Sequence, residues 1–161
     1  LNELLAWLEA SAAGQAMRAS GVWTYGVVNL AHILGVSSLF GSLLVLDLRL
    51  LGVWHGIALA AIEKPVVPVA TAGFTIAVIS GVFMITTNAT EYAGNPFLLI
   101  KFPAIALGLL NFAALSFLPA WRARHTRELG PRERRQLAVV GGVSLVCWLT
   151  AVSAARMIGY W

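Results

Sequence analysis

Three histidines, one cysteine and three methionines are the soft or borderline metal donors of this 161-residue chain. His32 lies in a long stretch without charge, at i, i+4, i+7 spacing from Tyr25 and Asn29. On a helix these three share one face, which makes a polar stripe running from one end of the stretch to its middle. Imidazole binds haem iron and copper well and needs a second donor. His32 is therefore the candidate metal ligand, for haem b or for copper. It can equally be an interior histidine bonded to a neighbouring helix, or part of a proton or quinone site. No other apolar stretch holds a histidine, so one chain cannot build a bis-histidine haem site inside itself. Met84, Met157 and Cys147 are the soft donors elsewhere, and each also suits plain packing. His55 and His125 fall one in each of the loops after the first and third stretches, either solvated or interfacial, or brought together as a haem or metal pair.

Lys101, Asn111 and Arg156 are the other polar groups that fall within or at the end of apolar stretches. The lysine stem can snorkel to a surface, where Glu91 is a potential partner. A lysine and an arginine also suit haem propionates or a quinone headgroup. With Thr86, Thr87 and Asn88 they bring polar groups to one half of all four stretches. The expected cofactor-binding set is Tyr25, Asn29, His32, Lys101, Asn111 and Arg156. Asp47 and Arg49, at i, i+2, do not face each other on a helix, so each needs a partner on another element.

No catalytic residue is assigned. H-E-x-x-H, G-x-G-x-x-G, P-loop and G-x-S-x-G patterns are all missing, so an enzyme is neither indicated nor excluded. One cysteine cannot form an internal disulfide.

These groups need a scaffold, and composition defines it. The chain is 59% hydrophobic and 11% charged, with a mean hydropathy of +0.81. A soluble domain is about 45–50% apolar and about 25% charged. Such an excess exceeds what so small a globule can hide. Charge-free gaps of 28, 26, 20 and 20 residues separate Arg18 from Asp47, Lys64 from Glu91, Lys101 from Arg122 and Arg135 from Arg156. Each suffices for one helical crossing of a bilayer core about 30 Å thick. They are too continuously apolar for barrel strands. The expected fold is all-α: a transmembrane four-helix bundle with spans near 22–46, 68–88, 97–120 and 137–158. It forms one domain over residues 21–161.

Residues 1–20 read as an N-terminal amphipathic interfacial helix, with Leu1, Leu4, Leu5, Leu8 and Ala12 on one face and Trp7 at the interface. Glu3 and Glu9 argue against a cleavable leader. Six of the eleven basic residues lie between Arg122 and Arg135. With Arg49 and Lys64 they place the two basic loops, between the first and second and between the third and fourth spans, in the cytoplasm and both termini outside. No basic stripe interleaved with aromatics suggests nucleic acid.

Small residues recur where helices must approach: Gly35 and Ser38, then Gly73-x-x-x-Ala77-x-x-x-Gly81, Ala104-x-x-x-Gly108 and Gly141-Gly142. Pro65 and Pro68 are expected to precede or open the second span, Pro96 to open the third, and Pro103 to kink it.

The segments AHILGVSSLFGSLLVLDLRLLG, TAGFTIAVISGVFMI and FLLIKFPAIALGLLNF resemble an uncharacterised family of small bacterial four-helix integral membrane proteins. More distantly they are similar to the CopD-like copper-resistance domain and to cytochrome b561-like membrane proteins. The shared features are His32 before Gly35, Ser80-Gly81, and Leu98-Leu99 with Lys101 ahead of Asn111. The resemblance covers roughly residues 28–120. It implies a bacterial inner-membrane component that handles copper or carries electrons through haem, with His32 as the one ligand. Cytochromes of the b561 kind use paired transmembrane histidines, whereas this chain has one. A homodimer would supply a second His32, and a larger membrane complex is the other setting. The alternative function is a non-redox accessory or structural subunit without a cofactor. Membrane lipid is the one certain partner on this reading, and nucleic acid is not one.

Overall fold

The computed structural model describes residues 2–161, and Leu1 lies outside them. Its helices are α1 (Asn2–Ala10), α2 (Ala12–Ala19), α3 (Gly21–Leu50), α4 (Leu59–Thr87), α5 (Pro96–Phe117), α6 (Pro119–Ala123) and α7 (Pro131–Ile158). A 3-10 turn at Ala89–Tyr92 precedes α5. No strand occurs among the described residues, so the fold is all-α. The helices α3, α4, α5 and α7 are long and apolar enough to cross a membrane. Only 17% of the most apolar stretch of α4, and the same share of α5, is buried within the chain. So much outward-facing apolar surface requires a lipid environment, and the chain is a multi-pass membrane protein.

Several boundaries differ from the sequence expectation: α3 runs on to Leu50 and α7 begins already at Pro131, and two further differences have a clear cause. The amphipathic segment is two helices, not one, because Ser11 interrupts it and caps the second: its hydroxyl accepts from the Gly14 amide at 3.2 Å. The second span begins at Leu59, so Pro65 and Pro68 lie inside it rather than at its start. The preceding turns have already begun the helix, and each proline then removes one backbone donor from the ladder. Pro96 opens α5 and Pro103 lies within it, as expected.

The chain divides into two compact units. The first comprises residues 1–39 and 70–95. In it α3 meets α4 backbone to backbone at Gly35 and Gly73. A Cβ on Gly35 would stand 2.8 Å from the Ala77 nitrogen, and one on Gly73 would stand 2.6 Å from the Leu39 nitrogen. Neither can carry a side chain at this separation, which is the close approach that small-residue stripes allow in lipid. The N-terminal helices are fastened to the end of α4. Gly14 lies flush against the Thr86 carbonyl. Arg18 donates to the Thr87 carbonyl at 2.9 Å and to the Glu9 carbonyl at 2.7 Å. The Glu9 carboxylate accepts from the Thr90 amide at 2.8 Å and from its hydroxyl at 2.7 Å. These two Thr90 hydrogen bonds, with Arg18 nearby, hold the Glu9 carboxyl below its ordinary range.

The second unit comprises residues 40–69 and 96–161. It is built on large side chains. Leu46, Leu50, Leu59, Leu115, Trp121 and Leu137 form its buried cluster. The Trp148 ring lies over Gly108, where an added Cβ would come within 3.1 Å of it. Gly141 admits Leu50, whose Cβ would stand 2.8 Å from a Cβ at that glycine.

Candidate functional site

In the first unit, residues 21–39 of α3 carry Tyr25, Asn29 and His32, each partly buried. His32 Nδ1 is 2.9 Å from the Ala77 carbonyl oxygen and 3.1 Å from Ser80 Oγ, both on α4. A carbonyl only accepts, so Nδ1 carries the proton and donates it. Ser80 uses its own proton on the Ile76 carbonyl at 2.5 Å, which leaves its oxygen to accept from the imidazole. Were the ring neutral, its lone pair would lie on Nε2. Gly81 completes the seat, since a Cβ there would stand 3.0 Å from His32 Cε1. The expected glycine–alanine–glycine stripe of α4 thus has one role throughout. Gly73 and Ala77 admit the α3 backbone, and Gly81 admits the imidazole.

The end of this polar face is bonded rather than open. Thr86 and Thr87 both donate to the Phe83 carbonyl at 2.9 Å. Asn88 donates to Glu91 at 3.2 Å. Tyr92 is half-buried, and burial together with Tyr25 and Glu91 pushes its phenol up from the ordinary value.

Lys101, Asn111 and Arg156 belong to the second unit. Asn111 donates to the Val140 carbonyl at 3.0 Å, tying α5 to α7. The Arg156 guanidinium lies over the Tyr160 ring, 4.6 Å from its centroid, and is bonded to the Tyr160 hydroxyl. Lys101 is partly buried in the second turn of α5, and among the described residues it forms no ion pair. The six expected residues thus fall three to each unit, and two of the second three hold local structure there. Among the described residues no three His, Cys, Asp or Glu side chains converge as a metal-binding group.

The second unit holds two further features, of which the sequence reading raised only the pairing of His55 with His125. Asp47 is 3% exposed and bonds Ser144 of α7, while its Oδ2 has no hydrogen-bond partner. A charge in the last turn of an apolar helix was its signal. Arg49 turns the other way and donates to the Ile57 and His55 carbonyls at 2.9 and 3.4 Å. Asp47 thus finds its partner on another helix, as expected, whereas Arg49 bonds the loop that follows its own helix.

The second feature is a cavity of about 530 Å³ between the α3–α4 loop and the α6–α7 loop. His55 and His125 both line it, so the two loops do meet around one space. Four arginines face it: Arg49, Arg124, Arg127 and Arg134. Glu63 grips Arg124 through both oxygens at 2.7 and 2.8 Å and lies 3.3 Å from His125. The Arg124 guanidinium also covers the Trp121 ring, 3.8 Å from its centroid. Glu133 holds Arg127 in the same two-pronged way at 2.6 and 2.9 Å.

In comparisons with known proteins, no family model, no curated protein and no solved structure matches this chain.

Proposed function

We propose that this membrane protein is a non-redox accessory or structural subunit of the bacterial inner membrane. Its only histidine within a span, His32, works as an interhelical clamp. The observation that carries this reading is the donation from Nδ1 to the Ala77 carbonyl and Ser80 across the α3–α4 crossing. That bond accounts for a polar ring in an apolar helix without any ligand. The arginine-rich loop before α7 supports an orientation with both termini outside, by the excess of cations it would leave in the cytoplasm.

A redox or metal-handling role, with haem b or copper on His32, is the second reading. The same tautomer favours it. Metal-ligating imidazoles commonly donate their other nitrogen to a carbonyl, which fixes the ring and raises the basicity of the ligating atom. His32 makes that donation, from Nδ1 to the Ala77 carbonyl. The remaining donor would come from a second chain, and a homodimer would supply its own His32.

One preparation separates the two readings. The protein, extracted in mild detergent, is measured for an optical spectrum, for copper and for mass. Under the clamp reading it is colourless and free of copper. His32→Ala then lowers stability by about 1 kcal/mol, the scale of an interhelical hydrogen bond in a membrane. A Soret band or stoichiometric copper that disappears in His32→Ala, in a dimer, would establish the second reading and overturn the first.

A further inference from the structure

The cavity of the second unit has more positive charge than its neighbours neutralise. Glu63 and Glu133 occupy Arg124 and Arg127, each through two hydrogen bonds. Arg49 and Arg134 face the same space without a carboxylate partner among the described residues. Arg49 spends two donors on loop carbonyls, and Arg134 spends only its Nε, on the Leu129 carbonyl at 2.9 Å. The two guanidiniums line one cavity. Glu128 is the one acid in the lining, and His55 and His125 add two further donors. Like charges gathered around a concave space, with donors to spare, suit an anion with several acceptor oxygens.

The walls indicate how deep this anion lies. The α3–α4 loop exposes Leu51, Val53, Trp54 and Ile57, between 41% and 48% each, and carries no charged residue. An apolar loop with an exposed tryptophan at the end of a span belongs at the headgroup boundary. The opposite wall is the arginine loop, which belongs in water. Helix α3 is about 45 Å long at the helical rise, longer than a hydrocarbon core of about 30 Å. It is long enough for its last turn, with Arg49, to reach the level of lipid phosphates.

We infer that this cavity binds a phosphate group at headgroup depth, with Arg49 and Arg134 as its principal ligands. An anionic phospholipid and a free phosphate share this chemistry, and the loop depth favours the lipid.

The test uses the full chain in neutral detergent and follows its thermal midpoint. Three probes are titrated separately: phosphatidylglycerol, phosphatidylcholine and inorganic phosphate. Phosphatidylglycerol is expected to raise the midpoint saturably, while phosphatidylcholine leaves it unchanged. A comparable rise with inorganic phosphate would support the site and assign it to the free ion. The double variant R49Q/R134Q is expected to weaken binding about tenfold or more, because each loss removes charge-assisted hydrogen bonds. The double variant R132Q/R135Q removes equal charge from the first turns of α7, beside Arg134 but outside the cavity lining, and it should bind within about twofold of wild type. Arg49 also braces its loop, so R134Q alone guards against misfolding. It should weaken binding while the far-ultraviolet circular dichroism is unchanged. The inference is overturned if no phosphate probe acts more strongly than phosphatidylcholine, if R134Q binds like wild type, or if R132Q/R135Q loses as much as R49Q/R134Q.

Discussion

The two units solve the problem of packing in lipid by opposite means. In the first, Gly35 and Gly73 remove side chains so that two backbones touch, and the polar side chains at the crossing, His32 and Ser80, bond to helix carbonyls. In the second, leucines and tryptophans interdigitate, and two arginines are held by carboxylates. Backbone contact leaves almost no tolerance, because a helix backbone cannot yield. Side-chain contact leaves some, because rotamers can shift. The contrast explains why glycine is decisive at some positions and incidental at others.

The largest expected effect breaks the first unit. Gly73→Leu would drive a branched side chain into the Leu39 amide and the Gly35 carbonyl, 2.6 and 2.7 Å from its Cβ. A loss of about 3 kcal/mol or more in detergent unfolding is expected, at the upper end of overpacking costs. Gly26→Ala, where nothing lies within 4 Å, should be neutral or slightly stabilising. Equal losses in the two variants would show that the crossing is not the tight point.

Next in size is Glu63→Gln in the second unit. The Glu63 and Arg124 side chains are 17% and 13% exposed, so the guanidinium would lose its charge partner in a largely dry site. About 2 kcal/mol is expected, below the figure of about 3–5 for a fully buried pair. Chemical-denaturant midpoints of Glu63→Gln and of the reciprocal Arg124→Gln should fall together.

The smallest effect is a dependence on pH in the first unit. Glu9 has a lowered pKa in the folded chain because Thr90 donates to its charged form twice. Its contribution is complete above the ordinary glutamate range and is lost as pH falls through the lowered value. Trp7 fluorescence should report loosening of the N-terminal helices on acidification, and Glu9→Gln should abolish that response. An unchanged acid response in Glu9→Gln would remove Glu9 as its source.

Much of this scaffold was legible in the sequence. Four apolar runs bounded by charges imply four spans, and small residues at four-residue spacing imply close crossings, since both signals act locally along the chain. Gly35, Gly73 and Gly81 acted as their spacing suggests. The starts of elements were harder to read. Pro65 and Pro68 look like helix openers, yet six residues from Leu59 onward had begun the turn before Pro65. The candidate site was less legible still. The stripe of Tyr25, Asn29 and His32 can be placed on one face from spacing alone. That His32 donates to Ala77 depends on the register between two helices, which spacing within one of them does not contain. Arg49 is far along the chain from Arg127 and Arg134, and no spacing in the sequence shows that the three line one space. Which arginines are neutralised depends on Glu63 and Glu133, and that is a property of the folded loops.

Inside α4 the two prolines leave the carbonyls of Ala61 and Lys64 without the amide that would normally return to them one turn later. A few turns on, Gly73 and Ala77 are held against α3. One continuous rod thus joins a stretch with two missing rungs to a stretch that cannot shift. Thermal bending of α4 should concentrate at residues 61–68, where amide deuterium uptake would be fastest and where a small motion at one end is least able to disturb the crossing at the other.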